Sequence, residues 1–444
     1  MRRVGIVGVI TALWLVLAAA PAAAHGIAGG LDLPVPLSFF VAGAGLVVVF
    51  SFVALAVAWP EARWQAPSPG RVLATWGRWV VVGLMVIGVA ALGLVVAAGV
   101  FGEDLRTNSA PILVWVYLWL VLPLLGAVVG DLWRYVNPWR TLVGERERSD
   151  FPRAAENVGV YPAAIAFVVF MWLGLVPDYG RAPGVAALAA ILYSLYVGSA
   201  VLLSDRERAF GSFDAFTPYN YLVGAIAPIS LDPQGAWRRH GWLRRLPTVP
   251  VQPGLTLFVT VVIGSVTYDG LSASELWSDV WGTTRFQEWF GTVALLATIG
   301  AIWAMYRAAT WVAARMAGLT THALVAESFA HVLVPVGLAY AVTHYFTVIA
   351  FEGQMLISIV SDPLGLGDDY FGTALREVEL WIGAIGVWYI QLGIIIVGHV
   401  AAAVLVHDRA LAVFPKEHAV RSQYPMLVLI VALSSVGLFL LSVA

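Results

Sequence analysis

The stretch VVVGLMVIGVAALGLVVAAG, residues 80–99, decides the fold class. It consists of twenty apolar or glycine residues without a single charge. At 1.5 Å per residue, an α-helix of about this length crosses the roughly 30 Å hydrocarbon core of a bilayer. A helix satisfies all its backbone hydrogen bonds internally, which lipid cannot do for it. The stretch therefore predicts a membrane-spanning helix.

Similar apolar segments recur along the chain. Of its 444 residues, 60% are hydrophobic and 12% are charged, whereas soluble domains carry about 25% charged residues. We predict an all-α, polytopic membrane helix bundle that forms one integral-membrane domain over residues 25–444. The ten predicted spans lie near residues 37–58, 75–99, 111–130, 159–176, 183–203, 252–269, 290–313, 322–350, 380–406 and 424–443.

The basic residues predict the orientation. Nineteen of the 25 Lys and Arg residues fall on alternate connections between spans, and the positive-inside rule places these connections in the cytoplasm. Residues 1–24 resemble a signal peptide, with Arg2 and Arg3 before an apolar stretch and small residues before His25. We therefore expect a protein of the bacterial cytoplasmic (inner) membrane, surrounded by the lipid bilayer, with both mature termini extracytoplasmic.

Composition excludes several function classes. The net charge of −2 provides no basic field for nucleic acid. The absence of cysteine excludes disulfides, thiolate metal sites and cysteine nucleophiles. The chain also has no Gly-x-Ser-x-Gly elbow and no phosphate-binding glycine loop. Any chemistry must come from His, Asp, Glu, Ser or Tyr side chains or from a cofactor, and the sequence does not identify a partner subunit.

Histidines on the eighth and ninth spans suggest an inner site. Spans joined by one outer loop run antiparallel, and ends at residues 350 and 380 would place His331 level with His399. With Glu327 one turn before His331, these residues could bind a metal or a haem. They could equally form a proton or ion path, or simply hydrogen-bond across the helix interface.

A second candidate site lies toward the outer surface. His344 is thirteen residues beyond His331, about 20 Å along the helix axis. Asp269 closes the sixth span on the same side, Glu352 follows His344, and His25 would begin the mature chain there. Such nitrogen and oxygen donors suit a divalent transition metal, with zinc preferred over iron or copper.

Three other segments carry weaker signals. Residues 213–231 are apolar but contain prolines, and we expect them to lie at the membrane interface. Residues 351–379 predict a solvated outer loop. Residues 131–140 interleave an acid and two arginines with aromatic residues, a pattern that could bind phosphate but is more typical of an interface anchor.

Several strings together resemble a known family. They are His25-Gly26, Asp131-Leu132-Trp133-Arg134, Asn137-Pro138-Trp139-Arg140, Asp269-Gly270, His344-Tyr345-Phe346, Gly398-His399 and His407-Asp408-Arg409. Spread from the mature N-terminus to about residue 410, they resemble the bacterial polytopic membrane proteins known as fenitrothion hydrolases.

The resemblance implies hydrolysis of an organophosphorus triester, with release of a phenol. The substrate would be a hydrophobic small molecule that enters from the bilayer. A bound metal could activate water by lowering its pKa to about 7, and His344, Asp269 and Glu352 would then be the catalytic residues. Two alternatives stay open, namely a transport or metal-handling protein and a haem-binding redox subunit that uses His331 and His399.

Overall fold

The computed structural model describes residues 36–66, 69–105, 107–144, 158–281, 286–379 and 381–443. The predicted signal peptide and the candidate ligand His25 lie outside these residues. The prediction of an all-α polytopic bundle is confirmed, because helices dominate the described residues and nine of them are long and apolar enough to cross a membrane. The protein is therefore a multi-pass integral membrane protein.

Within the described ranges, ten helices correspond in order to the ten predicted spans. They are α1 (Leu37–Ala58), α2 (Arg78–Phe101), α3 (Ser109–Val129), α4 (Tyr161–Leu175), α5 (Pro183–Leu203), α6 (Leu255–Ser272), α7 (Gln287–Met316), α8 (His322–His344), α9 (Ala384–Val413) and α10 (Tyr424–Val443). Helix α4 has 15 residues and is about 22 Å long. Of these ten described helices, it is the one that is too short to belong to the nine that could cross a membrane.

The chain divides into two compact units. The first comprises Met1–Ala66, Val259–His344 and Ile382–Ala444, and it contains α1, most of α6, and α7 to α10. The second comprises Pro67–Phe258 and Tyr345–Trp381, and it contains α2 to α5.

Shorter elements complete both units. Those of the first unit are Glu275–Trp281, Lys416–Ala419 and the 3-10 turn Arg421–Gln423. Those of the second are Trp133–Val136, Pro138–Val143, Asp178–Arg181, Arg206–Arg208, Ala209–Phe213, Phe216–Gly224, Leu246–Thr248, Phe346–Phe351, Glu352–Met355 and Leu356–Ser361. A small antiparallel sheet in the second unit has the order β1-β3-β2, with β1 at Arg71–Ala74, β2 at Ile229–Leu231 and β3 at Trp237–Arg239.

Helix α8 is interrupted where it carries a histidine. Ala330–Leu333 forms a 3-10 turn, and the regular helix resumes at Val334. Pro335 explains the interruption, because proline has no N–H to donate to the carbonyl of His331 four residues earlier. The N–H of Val334 donates to that carbonyl instead.

One buried carboxylate organises the second unit. Asp214 is fully buried and accepts five hydrogen bonds, at 2.6 to 3.1 Å. The donors are the indole of Trp133, the amide of Asn137, the hydroxyls of Tyr193 and Thr217, and the backbone N–H of Phe216. The hydrogen bonds from these donors offset the free-energy cost of burying the carboxylate.

This network corrects two predictions from the sequence. The interface-anchor interpretation of residues 131–140 is wrong for Trp133 and Tyr135, which are 3% and 6% exposed. Trp133 binds Asp214, and the Tyr135 hydroxyl donates to the carbonyl of Leu231 at 2.8 Å. Residues 213–231 likewise pack inside the second unit instead of lying on a lipid surface, because most of their side chains are buried.

A second buried carboxylate organises the first unit. Asp408 on α9 is fully buried and accepts hydrogen bonds from the backbone of Arg63 at 2.6 Å and from the side chain of Gln65 at 2.5 Å. Arg409 donates to Gln65 and to the carbonyl of Ser328 on α8. The chain after α1 is thus attached to α9, and α9 to α8.

Candidate functional site

The structure brings two of the predicted site residues together. His344 Nε2 lies 2.9 Å from Asp269 Oδ2, and the two side chains are 15% and 18% exposed. His344 is the last residue of α8, and Asp269 lies three residues before the end of α6. We refer to them as the Asp269–His344 pair.

Close packing of three helices positions this pair. A Cβ atom added to Gly270 on α6 would lie 3.2 Å from Leu440 Cβ on α10 and 3.6 Å from His344 Cε1 on α8. Gln391 on α9 donates to the carbonyl of Thr343 at 2.8 Å. Glycine after Asp269 thus lets α6 approach α10 closely, and α9 binds the last turn of α8.

The pair has the chemistry of an oriented base. A carboxylate that accepts a hydrogen bond from one imidazole nitrogen fixes the tautomer and leaves the other nitrogen basic. It also stabilises the imidazolium that forms when that nitrogen takes a proton. About a sixth of each side chain is exposed, so solvent reaches the pair.

The other outer candidates are placed differently. Glu352 belongs to the second unit, where it begins the 3-10 turn Glu352–Met355. Residues 351–379, predicted as a solvated loop, begin with helical turns that continue to Ser361. Asp362 is 7% exposed and binds the backbone N–H groups of Leu366 and Gly367, so this part of the segment is an ordered, hydrogen-bonded structure.

The inner candidates His331 and His399 are both buried. They are 3% and 0% exposed, and the Nε2 atom of each has no hydrogen-bond partner among the described residues. His399 Nδ1 hydrogen-bonds to the carbonyl of Ile395 at 2.7 Å, and its ring centre lies 6.0 Å from that of Tyr340. Glu327, one turn before His331, is half-buried.

The register of α8 and α9 differs from the sequence estimate. Gly398 faces Ala339, and Arg409 reaches the carbonyl of Ser328. These contacts place His331 level with a point five to seven residues beyond His399, roughly 7 to 10 Å along the axis. The estimate assumed that the two helices end at one depth, whereas the contacts of Gly398 with Pro335 and Ala339 show that the end of α8 at His344 and the start of α9 at Ala384 are not level.

The donor set for a metal is incomplete in the described part of the chain. No group of three or more His, Asp or Glu residues is close enough to hold a metal ion there, and transition-metal sites normally use at least three protein ligands. The two donors of the Asp269–His344 pair do not fit such a site by themselves. The metal prediction, which includes His25, stays a prediction.

A polar pocket in the second unit brings together residues that the sequence did not connect. Asp131, Arg134 and Arg140 come from the segment predicted as an anchor, whereas Glu207 and Arg208 lie about seventy residues further on. The acid and arginines of residues 131–140 were the available signal for phosphate binding. Their partners come from distant sequence, so spacing could not reveal them.

In comparisons with known proteins, no family model, no curated protein and no solved structure matches this chain. The resemblance to fenitrothion hydrolases therefore still depends on the strings quoted above.

Proposed function

We propose that this integral membrane protein is a hydrolase of organophosphorus or similar esters and that the Asp269–His344 pair is its reactive centre. The 2.9 Å contact between His344 Nε2 and Asp269 Oδ2 is the observation that carries the proposal. The family resemblance of the surrounding strings suggests the substrate class.

In this proposal the chain's own residues perform general-base catalysis. His344 takes a proton from water as the oxygen attacks phosphorus, and Asp269 stabilises the resulting imidazolium. The phenolate leaves with the electrons of the P–O bond. A divalent metal, if one binds with ligands such as His25, would add Lewis-acid stabilisation of the phosphoryl oxygen.

Replacement of His344 by alanine tests the proposal. Purified protein in detergent would be assayed with a 4-nitrophenyl phosphotriester, whose released nitrophenolate absorbs visible light. We expect His344→Ala to lower turnover by about 10²- to 10⁴-fold, the usual contribution of a positioned base. His418→Ala, which removes a half-buried histidine from a short helix, is the matched control. Equal activity of wild type and His344→Ala would overturn the assignment.

Transport or metal handling is the second candidate function. It is favoured by the buried imidazoles of His331 and His399, whose Nε2 atoms lack partners among the described residues. Ionisable groups within spans commonly mark ion pathways. Metal and haem analysis of the purified protein separates the alternatives, because a Soret band selects haem, whereas a colourless stoichiometric metal that is lost in His331→Ala selects the inner histidines.

A further inference from the structure

A polar cavity of about 420 Å³ lies in the second unit, separate from the Asp269–His344 pair of the first. Its charged lining consists of three arginines and two acids, and its other walls include Ser212, Thr217 and Gln252. The charged residues are Arg134, Arg140, Arg208, Asp131 and Glu207. We call this cavity the arginine pocket.

One arginine of the pocket is committed to an internal partner. Arg140 binds Glu207 through both terminal nitrogens, at 2.9 and 3.3 Å, and its side chain is 12% exposed. In this bidentate pair, the negative charge of Glu207 is compensated by Arg140. Arg140 therefore serves mainly to build the wall of the pocket.

The positive charges of the other two arginines are not compensated by a close ion pair with a described residue. The guanidinium of Arg134 is exposed and makes no hydrogen bond or ion pair with a described residue. Arg208 approaches Asp205 only to 3.8 Å and is 31% exposed. Both guanidinium groups can present N–H donors to an oxygen-rich anion.

Asp131 opposes this positive charge less than an ordinary carboxylate would. Burial raises the pKa of Asp131 to about 6, although the backbone hydrogen bond from Arg134 and the charges of Arg134, Arg140 and Arg245 lower it. A substantial fraction of this carboxyl is therefore protonated at mildly acidic pH. Tyr135 and Tyr221 also face it and are neutral at that pH, because burial raises the pKa of each.

An apolar groove adjoins the arginine pocket. The groove has a volume of about 900 Å³ and also lies in the second unit. Consecutive residues line the two spaces, since Trp133 and Trp139 line the groove whereas Arg134 and Arg140 line the pocket. The helices Trp133–Val136 and Pro138–Val143 thus contribute residues to both a charged pocket and an apolar groove. This arrangement suits an amphiphile with an anionic end.

We propose that the arginine pocket is a phosphate-binding site for either the headgroup of an anionic phospholipid or a small phosphorylated molecule. Exposed Arg134 and partly exposed Arg208 supply the anion-binding donors, and the adjoining groove would hold acyl chains if the phosphate belongs to a lipid.

Two binding arms test the proposal and identify the source of the phosphate. Purified full-length protein in neutral detergent is titrated by calorimetry with inorganic phosphate in one arm and with short-chain phosphatidylglycerol in the other. We expect saturable binding in at least one arm. Binding of phosphate alone identifies a small molecule, and binding of phosphatidylglycerol alone or more tightly identifies a lipid.

A double variant and a matched control connect this binding to the pocket. Arg134→Gln with Arg208→Gln should weaken binding by about tenfold or more, as expected for the loss of charge-assisted contacts. Arg239→Gln removes one exposed charge from β3 of the same unit, outside the pocket lining, and should change affinity less than about twofold. The proposal fails if neither ligand binds, or if the control weakens binding as much as the double variant.

Discussion

Replacement of Asp214 by asparagine should destabilise the second unit strongly. Oδ2 accepts from Trp133, Asn137 and Thr217, whereas Oδ1 accepts from Tyr193 and the N–H of Phe216. An amide has the same shape, but its NH₂ group can only donate. In either orientation one or two N–H donors lose their acceptor, either Phe216 or both Trp133 and Asn137, whereas the hydroxyls can turn to accept from the amide. At about 1.5–3 kcal/mol for each lost bond to a charged group, we expect a loss of about 2–6 kcal/mol.

Thermal unfolding in detergent, followed by tryptophan fluorescence, measures this loss. The chain has 19 Trp and no Cys, so intrinsic fluorescence is suitable and thiol dyes are not. The expected loss corresponds to a fall in the midpoint of roughly 5 °C or more. Asp205→Asn is the control, because its side chain caps a short helix and is 34% exposed, and asparagine caps as well as aspartate. A midpoint for Asp214→Asn within about 2 °C of wild type would refute the reasoning.

Three further predictions concern other parts of the chain. Asp131→Asn should remove a pH dependence of the free energy of unfolding. The pKa of Asp131 is about 6 in the folded protein and about 3.9 in the unfolded chain, so wild-type stability should fall as the pH rises through 6. Thermal midpoints of both proteins at pH 5 and 7.5 check this. Gly398→Ala should cost about 1–3 kcal/mol in thermal unfolding, because its Cβ would lie 2.5 Å from that of Ala339, whereas Gly393→Ala on the same helix meets nothing within 4 Å. Asp269→Asn should lower phosphotriester turnover about 10²-fold or more with little change in KM, and an unchanged rate would exclude its positioning role.

The sequence predicted the helices well because the solvent is lipid. Each span must be long and apolar by itself, so local composition carries the signal. The helix predicted at residues 37–58 forms at Leu37–Ala58, and that predicted at 183–203 forms at Pro183–Leu203. The end of α8 was missed because residues 345–350 are as apolar as the helix before them, although the chain breaks the helix after His344.

Side-chain networks could not be predicted in the same way. Trp133 donates to Asp214 across 81 residues of sequence, and Asp408 binds the backbone of Arg63 across 345 residues. Nothing in local spacing identifies such partners. For the same reason, the aromatic residues at 133 and 135 suggested a lipid interface. Their local sequence does not reveal the carboxylate and the carbonyl that accept their hydrogen bonds inside the protein.

Burial separates the two carboxylates that organise the units from the carboxylate of the proposed reactive pair. Asp214 and Asp408 are fully buried, and several donors hold each of them. Loss of those hydrogen bonds would cost several kcal/mol, so we assign both carboxylates a structural role. Asp269 differs, because it binds the imidazole of His344 and both side chains are partly exposed. The reactive centre that we propose therefore lies where a carboxylate meets an imidazole at the end of a span.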